Sequence, residues 1–225
     1  KVRMKVFFIP GLACDERLFE DLFMFLSKEG IYCRVLNHKP PMSINESVSD
    51  YAKRLIEQIE EKDITLVGVS LGGIIGIEIS RHISLKRLIT ISSVQDYRQV
   101  PRSIRILRYF PVHRLLHTTL SKWLLIHLAR WTNIVRQKHM SIWISMVRDC
   151  EISHLKWGRN QVIHWRGEAA DCPFVRIIGD KDHIFSNIRQ QDIVIQNGNH
   201  AMVMNQAKEI AKNILEVLKF SSQTG

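Results

Sequence analysis

With 225 residues, 45% of them apolar, the chain is long enough to bury one well-formed core and too apolar to be disordered. No run of it is long enough to span a membrane, and Cys14, Cys33, Cys150 and Cys172 have neither metal-like nor redox spacing. The formal charge of +10 leaves acidic partners open, and its distribution decides which part of the chain they concern.

Met4-Lys5-Val6-Phe7-Phe8-Ile9 reads as a buried strand, followed by the loop Pro10-Gly11-Leu12-Ala13-Cys14-Asp15. Asp15 is the N-cap expected for a helix over 15–29. No targeting segment is expected ahead of this strand, and the scattered cysteines point to the reducing cytoplasm. A short strand is read over 33–36. The helix over 46–62 shows a 3.6-residue stripe of Val48, Tyr51, Ala52, Leu55, Ile56 and Ile59. A strand over 64–69 and a helix over 71–82 flank Gly68-Val69-Ser70-Leu71-Gly72. Strands over 87–92, 174–178 and 193–196 and a helix over 205–219 complete the pattern. Such alternation predicts an α/β fold: a mostly parallel sheet of about six strands with helices on both faces.

The pentapeptide matches G-x-S-x-G in the strand–turn–helix setting that gives the motif its meaning. The turn is tight enough to strain the serine backbone and to hold its hydroxyl at the tip. Leu71 opens the following helix, so its N–H lacks a partner within that helix and can stabilise a developing oxyanion. A serine hydroxyl needs a base and an orienting acid. The turn Gly179-Asp180-Lys181-Asp182-His183 and the later Gly198-Asn199-His200-Ala201-Met202 supply them, both beyond the carboxyl ends of strands, where an open α/β sheet binds ligands. Ser70 is thus the expected nucleophile, His200 the base and Asp182 the acid. Asp180 and Asp96 are the rival acids. His183, adjoining the acid in sequence, reads as a loop or pocket residue.

These residues resemble the α/β-hydrolase family, with its Ser…Asp…His order; the resemblance covers most of the chain outside 95–166. The family's G-D-x-D loop favours Asp182 over Asp180, which is left to cap the turn. The resemblance also implies that Leu12 N–H is the second oxyanion donor and that Gly11 lets the backbone approach the substrate. Family members usually carry His-Gly where this chain has Pro10-Gly11. With six strands against the family's eight, the first two are expected to be missing. Serine at the elbow argues against the family's haloalkane dehalogenases and epoxide hydrolases, which use aspartate.

Residues 95–166 contain 13 Lys+Arg against 3 Asp+Glu, whereas the remainder is balanced at 19 of each, so all the excess charge lies in one segment. All five tryptophans lie there too: Trp123, Trp131, Trp143, Trp157 and Trp165. The resemblance makes this segment a helical cap over a core of residues 1–94 and 167–225. Residues 102–108 and 120–128 read as amphipathic helices. Trp123 and Trp143 are the candidates for an apolar substrate wall. His113 and His117 share a spacing of four, but Arg114 between them disfavours a metal; no metal or cofactor is expected.

The resulting expectation is a serine hydrolase acting on a carboxylic ester or thioester with an apolar acyl group. One alternative is an acyl-thioesterase whose basic cap receives an acidic carrier protein or coenzyme A. Another is a non-catalytic ligand receptor of the same fold. The basic face could also meet an anionic membrane surface. Nucleic acid is disfavoured because no recognised motif accompanies the charge.

Overall fold

The computed structural model describes residues 4–110, 118–185 and 187–220. His113, Arg114 and His117 lie outside the described residues. Six strands form one sheet: β1 (Lys5–Ile9), β2 (Tyr32–Val35), β3 (Ile64–Val69), β4 (Leu85–Ile91), β5 (Phe174–Gly179) and β6 (Ile193–Ile195). Their order across the sheet is β2-β1-β3-β4-β5-β6, and every neighbouring pair is parallel.

Alternation along the strands splits the core into two layers. Val6 and Phe8 of β1, with Val67 of β3 and Ile89 of β4, face helices α1 (Glu20–Lys28) and α9 (Ala207–Phe220). Phe7 and Ile9, with Leu66 and Leu88, face α2 (Val48–Ile56) and α3 (Leu71–Ile79). Strand β3 is buried at every position, as a central parallel strand covered on both faces must be.

Several boundaries differ from those expected. Asp15 caps as anticipated, its side chain accepting from Arg17 N–H, but the element it opens begins as a tight turn over Glu16–Phe19 before α1. The helix expected over 46–62 ends at Ile56. The one expected over 205–219 is divided at Gln206 into α8 (Met202–Asn205) and α9.

Between β4 and β5 lie α4 (Arg102–Arg105), α5 (Thr118–Trp131), α6 (Met140–Asp149) and α7 (Ile152–His164). The ends of this segment meet: Tyr97 N–H donates to Gly167 O at 3.0 Å, and Arg98 pairs with Glu168 at 2.7 Å. Trp157 is fully buried within the α2–α3 layer, and its indole N–H donates to Glu46 O at 2.8 Å. Trp165 joins the same layer and donates to the buried Glu78 carboxylate at 2.7 Å.

Candidate active site

Ser70 occupies the turn from β3 into α3 with φ 53° and ψ −116°, a backbone conformation L residues rarely adopt. Four hydrogen bonds hold its backbone. Its N–H donates to Ile91 O at 3.0 Å, and its carbonyl accepts from Gly73 N–H at 3.0 Å, Ile74 N–H at 3.4 Å and Ser93 Oγ at 2.7 Å. Gly72 is required by crowding: a Cβ there would overlap Ile9 O and reach Pro10 O at 2.7 Å. The sheet therefore brings the β1 loop and the elbow into direct contact.

Removing the Ser93 hydroxyl leaves the Ser70 carbonyl one donor short. Ser93→Ala is expected to lower the unfolding free energy by about 1 kcal/mol, read as a shifted urea midpoint; an unchanged midpoint would show that the elbow holds itself.

Asp182 follows β5 and His200 follows β6. Two bonds between adjacent turns set their spacing: Asp180 N–H donates to Ile195 O at 3.2 Å, and Lys181 N–H to Gly198 O at 2.9 Å. Asp182 Oδ2 lies 2.9 Å and Oδ1 3.1 Å from His200 Nδ1, and His200 Nε2 lies 3.0 Å from Ser70 Oγ. The Asp182 side chain is fully buried and the imidazole is 17% exposed. Burial alone would raise the Asp182 pKa. The hydrogen bond and charge of His200, together with the Phe185 and Ile184 N–H groups donating to Oδ1, outweigh it and hold the carboxyl below its ordinary range.

The rival residues lie elsewhere. Asp180 is exposed, and it is Asp182, not Asp180, whose side chain caps the turn. Asp96 caps the short turn at Tyr97–Gln99 and pairs with Arg189 at 3.1 Å. His183 is exposed.

Leu71 is the first residue of α3 and Leu12 lies in the loop after β1; among the described residues neither N–H has a protein acceptor. A Cβ on Gly11 would meet Ser70 Cβ at 3.3 Å, so this loop runs beside the serine. Helix α7 closes over both leucines at Gly158, where a Cβ would come within 2.5 Å of Leu12 Cδ1 and 2.8 Å of Leu71 Cδ2. Trp143 is half-buried and packs both against the cluster containing Ala13 and against the one Ala201 joins. Trp123 is different. It is 53% exposed, with its ring centroid 4.1 Å from that of His127 and the two rings tilted by 37°. The expected substrate-wall residue thus stands in a solvent-facing position.

Four supporting residues escaped the sequence reading. Buried Arg176 of β5 donates to Ser93 O at 2.7 Å, Asn187 O at 2.7 Å and Asp192 Oδ2 at 2.9 Å, tying the end of β4 to the segment between β5 and β6. An arginine inside the apolar run Phe174–Ile178 was the available signal. Asn199 and Asn205 both donate to Ile134 O, at 2.9 and 2.7 Å, anchoring the His200 turn to the segment between α5 and α6. His38 has Nε2 3.2 Å from Pro10 O and Nδ1 3.2 Å from Tyr51 Oη, so it braces the loop that carries Leu12. Its ring centroid lies 4.2 Å from that of His154 of α7, with the rings tilted by 39°, and both line a cavity of about 350 Å³.

No family model matches the chain, and no curated protein matches it. Solved structures do. A putative lipase from Acinetobacter baumannii superposes with TM-score 0.74 at 14% identity, over 100% of this chain and 86% of its own. A thermophilic esterase from Thermogutta terrifontis gives 0.73 at 16%, over 97% and 90%. An epoxide hydrolase from Vigna radiata gives 0.73 at 14%, over 96% and 91%. The all-parallel sheet, the serine elbow between β3 and α3 and these superpositions lead to one conclusion: the chain has the α/β-hydrolase fold.

Proposed function

We propose that this chain is a serine hydrolase that cleaves a carboxylic ester or thioester through an acyl-enzyme. The observation that carries the reading is the unbroken hydrogen-bonded path from Ser70 Oγ through the His200 ring to a buried Asp182. His200 Nε2 takes the Ser70 proton as Oγ attacks the carbonyl carbon. Asp182 holds Nδ1–H and so leaves Nε2 free to accept. The N–H groups of Leu12 and Leu71 stabilise the negative charge on the carbonyl oxygen. His200 then gives its proton to the leaving alcohol or thiol, and water repeats the sequence on the acyl-Ser70 ester.

Residues 95–166 act as the cap in this reading and residues 1–94 and 167–225 as the core. The approach of α7 to the Leu12 and Leu71 side chains at Gly158 supports that division, because it is a direct contact between the segment and the two residues that carry the oxyanion donors in this reading. Trp143, half-buried beside the same loop, is the aromatic side chain offered to the acyl group. The free cysteines fit a reducing compartment. Among the described residues no helix is long and apolar enough to cross a membrane.

The test is hydrolysis of p-nitrophenyl esters of graded acyl length, with a fluorophosphonate label located by peptide mapping. Turnover with an optimum at one chain length, and label on the peptide containing Ser70, are the expected results. A folded protein that neither turns over any ester of the series nor takes the label would instead be a ligand receptor of this fold.

A further inference from the structure

Helix α5 is apolar on more than one side, yet only one side is covered. Ser121 and Ala129 are buried and Leu125 is half-buried, and this face packs on α6 and α7. The uncovered flank carries Leu120 (44% exposed), Trp123 (53%), Leu128 (49%) and Trp131 (85%). At 1.5 Å per residue these form a ridge about 16 Å long. A helix with apolar residues on both faces belongs in a core or against another apolar phase. A contiguous apolar strip left in water marks an interaction surface.

The charge around the ridge is one-sided. Residues 97–148 contain ten Lys+Arg and no Asp or Glu. Arg130 and Arg136 are exposed within or just beyond α5, and Lys138, also exposed, lies 3.7 Å from Asp21. The same stretch exposes Ile106, Tyr109 and Phe110.

We infer that the solvent face of α5, with the cations beside it, is a docking surface for an anionic lipid bilayer. Charge complementarity selects this occupant. A second copy of the chain would bring two acid-free, strongly basic segments together and repel. An anionic headgroup layer attracts each of them. The shape agrees: the ridge stands out from the protein, and a bilayer needs no matching groove to receive it. Tryptophan also suits the depth, since its indole has an apolar body with a polar N–H and partitions to the headgroup level. The bilayer is approached from one side and not crossed, in the manner of an interfacial helix. This inference does not depend on the hydrolase reading, because lipid binding is measured without turnover.

The experiment is co-sedimentation with vesicles of phosphatidylcholine alone and of phosphatidylcholine mixed equally with phosphatidylglycerol, at low and high salt. The expected result is about tenfold or greater preference for the anionic vesicles, weakened by salt. Leu128→Ser with Trp131→Ser should reduce the bound fraction about tenfold by removing the inserted area, and Arg130→Glu with Arg136→Glu should do the same by removing the attraction. These are surface positions, so far-ultraviolet circular dichroism should be unchanged. In the wild type, brominated acyl chains should quench tryptophan emission. Equal sedimentation with both vesicle types, or binding indifferent to the Leu128/Trp131 change, would overturn the proposal. A concentration-dependent dimer abolished by that change would assign the ridge to a second copy. Saturable binding of an acidic carrier protein without vesicle binding would assign it to that partner.

Discussion

Ser70→Ala is expected to lower kcat for an ester substrate by about 10⁵- to 10⁶-fold while leaving the protein folded. The side chain makes one hydrogen bond, to His200, and the turn is held by backbone and by Ser93, so deletion of the hydroxyl removes the nucleophile and little else. Residual rate over water should persist, because the Leu12 and Leu71 donors remain. Asp182→Asn should cost less, about 10⁴-fold, since the serine survives but the imidazole loses the acceptor that fixes its tautomer. Steady-state kinetics on the ester that proves best in the chain-length series, with thermal melting as the folding control, decides both. The backbone of residue 70 adds a second reading. At φ 53° and ψ −116°, Ser70→Gly should melt above Ser70→Ala, because only glycine enters that region without steric cost. Equal activity in wild type and Ser70→Ala would dismiss the acyl-enzyme mechanism.

The second large effect is acid lability from the neighbouring pair His38 and His154. Burial pushes His38 down to about 4, against weaker opposing effects from the Pro10 and Gly11 carbonyls and Asp15. Burial, and then the neighbouring charge of His38, pushes His154 down to about 3. In the unfolded chain both return to the ordinary value of 6.5. Below pH 6.5 the unfolded state therefore binds up to two protons that the native state refuses. Their stabilisation is complete above that pH and is lost as pH falls toward 4 for His38 and 3 for His154. At about 1.4 kcal/mol per pH unit per proton, the pair should cost about 4 kcal/mol between pH 7 and pH 5. That is a large share of the ~5–15 kcal/mol of a typical domain. Urea unfolding at the two pH values measures it. His154→Phe keeps an aromatic ring beside His38 and should remove about half of the pH dependence; an unchanged slope in that variant would place the acid sensitivity elsewhere.

The parts of the molecule that could be read from residue order are those governed by local rules. Alternating β-branched and aromatic runs fell at all six strands, and the elbow glycines sat where crowding excludes a Cβ. The helices α6 and α7 were not anticipated, and α7 shows why. Its buried face includes Trp157, Asn160 and Gln161, whose side-chain N–H groups donate to the carbonyls of Glu46 and Ile44. A polar inward face erases the apolar period, and its partners lie more than a hundred positions away in sequence. The tryptophans tell the same story: Trp157 is fully buried and Trp131 is 85% exposed, and composition treats them alike. Asp182 was favoured over Asp180 on the loop pattern alone; its backbone donors at Ile184 and Phe185 could not be read in advance, because only the folded turn supplies them.

The junction at Tyr97 and Gly167 has a consequence for how such a chain can vary. Because the segment leaves and re-enters the sheet through hydrogen-bonded neighbours, it is a closed excursion whose length is independent of the β4–β5 pairing. Lengthening a loop already closed in this way costs little, about 0.6 kcal/mol per doubling. The segment is thus an exchangeable cassette: its outer helices can be rewritten for new surroundings while Ser70, Asp182 and His200 keep their register.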